Sequence, residues 1–130
     1  MKRDMDLIRN ILLFAEENCD GYSYIGLYDS DLFQSHDRIT IDGHIDLATK
    51  RGFIDANHAS NGWAIRGLTW DGHEFLDNSR TPEVWNAAKE SAGHLSFGVF
   101  GAVLNHLAIN HGLSLLKSGF NAAVSAATGS

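Results

Sequence analysis

Residues Gly52–Leu76 read GFIDANHASNGWAIRGLTWDGHEFL, and the folding of this stretch decides the rest. Phe53–Ala56 is β-prone, Asn57–Gly62 (NHASNG) is rich in turn formers, and Trp63–Leu68 is β-prone again. Strand, loop and returning strand make a hairpin with NHASNG as its loop. Thr69 is placed to cap a following helix, with Asp71 near the positive end of that helix's dipole. In that helix Gly72, Leu76 and Ser79 share a face with Phe75 beside them, so the glycine is expected to admit a neighbouring element at close range.

Upstream, Met5, Ile8, Ile11, Leu12 and Ala15 recur at helical spacing, and Asp4 stands where it can cap. Gly21–Leu32 (GYSYIGLYDSDL) alternates aromatic and small polar residues and reads as a short strand within loop. Ile41, Ile45 and Ala48 mark one face of a short central helix that Gly52 ends. A helix-internal Gly43 would cost about 1 kcal/mol against alanine, so that helix is expected to start there. Helix, helix, hairpin, helix is the order of a winged helix-turn-helix. The expected fold is therefore α+β, mainly α, a winged helix-turn-helix with additional C-terminal helices.

Between Gly93 and Leu116 there is no Asp, Glu, Lys or Arg. As one helix these 24 residues would reach about 36 Å, enough for a bilayer, but Asn105, His106, Asn110 and His111 would lie at its centre. The favoured account is a soluble helix starting after Ser96 and buried nearly all round, partly on the first helix and partly on a second subunit. Phe97, Phe100, Leu104 and Leu107 are its expected oligomer face, making the protein a homodimer. Thr81, Pro82 and Glu83 open a shorter helix before it, with Val84 and Trp85 as core contacts. The expected organisation is a winged-helix domain over 1–92, the apolar helix over 93–117 and a flexible tail over 118–130.

Several blocks also resemble a known family: MKRDMDLIRNILL, GHIDLATKRGFID, LTWDGHEFLDNSR, VWNAAKE and LSFGVFGAVLNHLA are similar to the bacterial and phage family called domain of unknown function 2513. The resemblance spans nearly the whole chain and implies a winged-helix-like fold, often phage-associated, with no settled activity. The chain departs from the family pattern at Ala48, where a larger apolar residue is usual, and at Gly43, where a bulkier one is. Both departures imply a less regular central helix.

Composition narrows function. The single cysteine, Cys19, forms no internal disulfide, and Asp4 and Asp6 ahead of a short apolar run do not make a signal peptide, so a cytoplasmic location is expected. Net charge is −6, which repels nucleic acid overall, yet residues 36–66 hold four cations and four carboxylates and are neutral. The candidate nucleic-acid contacts are Arg38, Thr40, His44, Lys50 and Arg51 on or beside the central helix, and Asn57, His58, Ser60, Asn61 and Arg66 in the wing. Asp42 and Asp46, four apart on the same helix, oppose phosphate.

Seven histidines invite a metal reading, but His106 and His111 are five apart, roughly 140° around a helix, and no other spacing fits zinc. Phosphate loops, nucleophile elbows and HExxH are absent from the sequence, so no cofactor, metal or catalytic residue is expected. Two non-enzymatic readings remain: a phage-associated DNA-binding regulator, favoured by fold order, or a phage-encoded modulator or inhibitor whose acidic surface engages a basic host or defence protein.

Overall fold

In the computed structural model the described residues are 1–127, with side chains described through Lys117. The chain divides into two compact units, Met1–Asp77 and Asn78–Ser130. The boundary expected at residue 92 thus lies inside the second unit.

The first unit opens with α1 (Met5–Asn18), whose N-terminal Leu7 amide donates to the Asp4 carboxylate at 3.2 Å. Its buried face, Met5, Leu7, Ile8, Ile11, Leu12, Phe14 and Ala15, is wider than the stripe read from spacing. Each large apolar side chain buried there contributes roughly 1.5–3 kcal/mol against exposure. Between α1 and the next helix lie a lone antiparallel bridge, Ile25 to Ile65, and a single 3-10 turn, Asp31–Phe33. Phe33 of that turn meets Phe14 edge to face at 5.9 Å.

The central helix, α2 (Arg38–Arg51), starts five residues before Gly43 and runs through it unbroken. Asp37 overrides the glycine as a start signal, its carboxylate accepting from the Thr40 amide at 2.8 Å. Ala48 is buried on the regular inner face with Ile41, His44 and Ile45, so neither family departure interrupts the helix. Gly52 ends it in the left-handed conformation, φ +83°.

The hairpin forms with longer strands than expected: β1 (Ile54–Ala59) and β2 (Gly62–Leu68), antiparallel. The expected six-residue loop shrinks to Ser60–Asn61, because Asn57, His58 and Ala59 pair with Ala64, Trp63 and Gly62. Gly62 takes φ +117°, which lets so short a turn close. The register slips once, after Asp55, leaving Arg66 as an extra residue in β2. Ile54 and Ala56, on one face of β1, therefore face Leu68 and Ile65, three apart rather than two.

Thr69 caps α3 (Trp70–Asn78) as expected, its hydroxyl accepting from the Gly72 amide at 3.1 Å while donating to the Gly52 carbonyl. A Cβ on Gly72 would be driven into the Phe53 carbonyl, so the anticipated close approach is the entry of β1. Phe75 stacks on Phe53 with ring centroids 4.9 Å apart.

The second unit holds α4 (Pro82–Ala92) and α5 (Phe97–Ala127). Pro82 sits in the first turn of α4, Val84 and Trp85 are buried, and α5 starts directly after Ser96. α5 is not buried nearly all round. Of its residues from Phe97 to Lys117, Phe100 and Leu104 are buried and the others are partly or fully exposed. This stretch is long and apolar enough to cross a membrane, an 18-residue part of it having mean hydropathy 1.3 and being 11% buried. Of the flexible tail expected over 118–130, the backbone of 118–127 continues α5, and 128–130 lie outside the described residues.

Candidate functional site

The start of α2 and the hairpin turn meet at one edge of the first unit. β1 leaves the C-terminal end of α2 and runs back along it, so the turn reaches the helix start. Arg38 fastens the two by donating from its guanidinium to the Asn61 carbonyl. The same guanidinium lies over the Tyr28 ring, 4.1 Å from its centroid. Tyr28 is the second fastener: its hydroxyl accepts from the Trp63 amide at 2.9 Å and donates to the Asp42 carboxylate. Burial, then the Asp42 carboxylate, raises the pKa of this hydroxyl, so it stays protonated and holds both bonds. Hydrogen bonds from Thr40 push Asp37 below the usual carboxylate range, which keeps a negative charge at the helix start.

The candidate contacts separate into three places. Arg38, Thr40, Asn57, His58, Ser60 and Asn61 lie at or near the edge, and His58 packs on Trp63 with ring centroids 5.1 Å apart. Ile39, unremarked in the sequence, is 83% exposed there. Lys50 and Arg51 are at the opposite end of α2, about 18 Å away along the axis. Lys50 is paired with Asp46 at 2.7 Å, and Arg51 lies 6.0 Å from the Phe53 ring. Arg66 is at the hairpin base, held by Asp55 with its Nε at 2.8 Å and set over the Tyr24 ring.

His44 belongs to none of these places and makes no surface contact. It is fully buried, accepting from the Asp4 amide at Nε2 and donating from Nδ1 to the Thr40 carbonyl, both at 2.8 Å. With one ring nitrogen accepting and the other donating, the ring is neutral and ties the start of α1 to α2. Its place in the Ile41–Ile45–Ala48 spacing was the signal that it faces inward. No such signal marked Tyr28, whose partners are 14 and 35 residues away.

The expected oligomer face is also corrected. Phe100 and Leu104 are buried within the monomer, Phe100 against Trp85 edge to face at 5.5 Å, and Phe97 and Leu107 are half-buried.

A concavity in the first unit, about 220 Å³, is lined by Glu16, Cys19, Asp20 and His73 among others. The Cys19 thiol bonds the Ile65 carbonyl at 3.5 Å, and burial followed by the Asp20 charge raises its pKa, the reverse of an activated nucleophile. Among the described residues no three His, Cys, Asp or Glu side chains gather as metal ligands would.

The profile of the family described as "Hypothetical protein (DUF2513)" matches residues 2–97, ending where α5 begins and short of the block quoted through Ala108. An uncharacterized protein of Haemophilus influenzae (strain ATCC 51907 / DSM 11121 / KW20 / Rd) is 39% identical over 93 residues, covering 68% of this chain and 76% of that relative. No solved structure matches the chain.

Proposed function

We propose, from the premise that the chain belongs to the DUF2513 family, that its first unit is a non-enzymatic winged-helix module that binds another protein. The winged-helix reading is supported by element order. α1, the Ile25 bridge on β2, a 3-10 turn, α2 and the hairpin follow the winged-helix sequence, with the bridge in place of a first strand and the turn in place of a second helix.

One observation carries the choice of target: the cations that would neutralise phosphates are engaged within the chain. Lys50 faces Asp46 and Arg66 faces Asp55, while Arg38 spends a donor on Asn61 beside Asp37 and Asp42. Affinity for a duplex rests chiefly on such neutralisation, and this edge leaves little of it. Exposed Ile39, the Asp37 charge and the neutral turn instead suit a protein surface carrying an apolar contact and a basic rim.

DNA binding remains the second reading because the edge groups the hydrogen-bonding side chains of Thr40, Asn57 and Asn61 where a winged helix meets a groove. Titration of random and native-locus duplexes at low salt separates the two. The protein reading expects no salt-steep binding. Binding that weakens steeply with salt, and that Lys50→Glu weakens for every sequence, would overturn it in favour of DNA. A photo-crosslinker replacing Ile39 is then expected to trap a partner that Asp37→Arg, by reversing the edge charge, fails to hold.

A further inference from the structure

α5 has a second face that no described residue of its own unit covers. Phe100 and Leu104 turn inward, but Val99, Ala102, His106, Ile109, Leu113 and Leu116 recur on the other side at alternating intervals of three and four. All six are exposed: 45% at Val99, 51% at Ile109, 59% at Leu113 and 72% at Leu116. An alternating three-and-four interval averages 3.5 residues, the period that keeps a seam aligned along a second helix. Val99, His106 and Leu113 hold one seam position of the heptad; Ala102, Ile109 and Leu116 hold the other.

Charge selects the occupant. The protein carries −6 overall, yet Gly93–Leu116 has no Asp, Glu, Lys or Arg. Two copies meeting along this face desolvate no ionised group and bring no like charges together, whereas a charged partner finds nothing to pair with. A bilayer fits less well, because Asn105, His106, Asn110 and His111 would occupy the middle of the span. We infer that two copies of this chain associate through the Val99–Leu116 seam. The seam is about 26 Å long, short enough that the dimer dissociates on dilution. It involves none of the edge residues, so its outcome and that of the partner-binding reading are independent.

Sedimentation equilibrium of the full chain over a wide concentration range tests this directly. The wild type is expected to show a monomer–dimer equilibrium. Ile109→Asp and Leu113→Asp each raise Kd at least about a hundredfold by facing two carboxylates in the seam, with circular dichroism unchanged because both sites are exposed in the monomer. Leu115→Asp, equally apolar and 61% exposed but off the seam, changes Kd by less than about threefold. A wild type that is monomeric throughout overturns the assignment, as does a dimer that survives both seam variants or is broken as much by Leu115→Asp. Flotation of the wild type with phosphatidylcholine vesicles would overturn it too, assigning the face to lipid.

Discussion

α1 and α5 are both apolar helices, yet α1 buries seven of its 14 residues whereas α5, between Phe97 and Lys117, buries only Phe100 and Leu104. The difference lies in what surrounds the apolar positions. In α1 the charges of Asp6, Arg9, Glu16 and Glu17 mark the solvent side, so the opposite stripe can only be core. From Phe97 to Leu116 α5 has no charge to orient it, and apolar content alone does not say which side turns inward. Hydrophobicity sets how much a helix gains by burial; the placement of charge sets the direction.

Identical chemistry in the two helices puts this contrast to its hardest test. Leu12→Asp in α1 buries a carboxylate without a partner and is expected to remove about 5 kcal/mol or more, abolishing the cooperative unfolding transition of the first unit in urea. A smaller loss, about 3 kcal/mol, is expected for His44→Ala, which orphans the Asp4 amide, removes the Nδ1 bond to the Thr40 carbonyl and opens a cavity between α1 and α2. Urea melts followed by circular dichroism measure both.

Tyr28→Phe should cost about 1 kcal/mol by deleting the hydroxyl between Trp63 and Asp42. It also carries a pH signature. Because the folded hydroxyl titrates above its ordinary value of about 10, the unfolded chain loses this proton first. The Tyr28 contribution is therefore complete below pH 10 and falls as pH rises toward the folded value, a decline that the Phe variant lacks. Smallest of all, Leu113→Asp in α5 should leave the dilute monomer's stability within about 0.5 kcal/mol of wild type. A loss comparable to that of Leu12→Asp would erase the distinction between the helices.

Much of the architecture was legible because it rests on local chemistry. The Asp4 and Thr69 caps, the left-handed Gly52, the hairpin and the proline-led α4 each follow from a few adjacent residues. The α2 start was misplaced because Gly43 drew attention from the better signal at Asp37, and the hairpin loop was overlong because pairing overrode the turn propensity of Asn57 and His58. The edge was only half legible: exposed candidates could be named, but the Arg38–Asn61 and Tyr28–Asp42 contacts span 23 and 14 residues and have no local signature. His44 is the opposite case: its polar side chain suggests a surface contact, but its position on the inward face of α2 places it in the core.

The extra residue at Arg66 has a mechanical consequence. Were it deleted, Ile65 and Gly67 would join in an even ladder opposite Ala56 and Asp55, and every inward side chain would keep its side. The local bend would vanish, and with it the guanidinium clasp on Asp55, the contact with the Tyr24 ring and the bond from the Gly21 amide to the Arg66 carbonyl. The hairpin thus carries a built-in steering joint at its root: shortening the chain by one residue there would swing the distant turn to a new heading without altering a single atom at its tip.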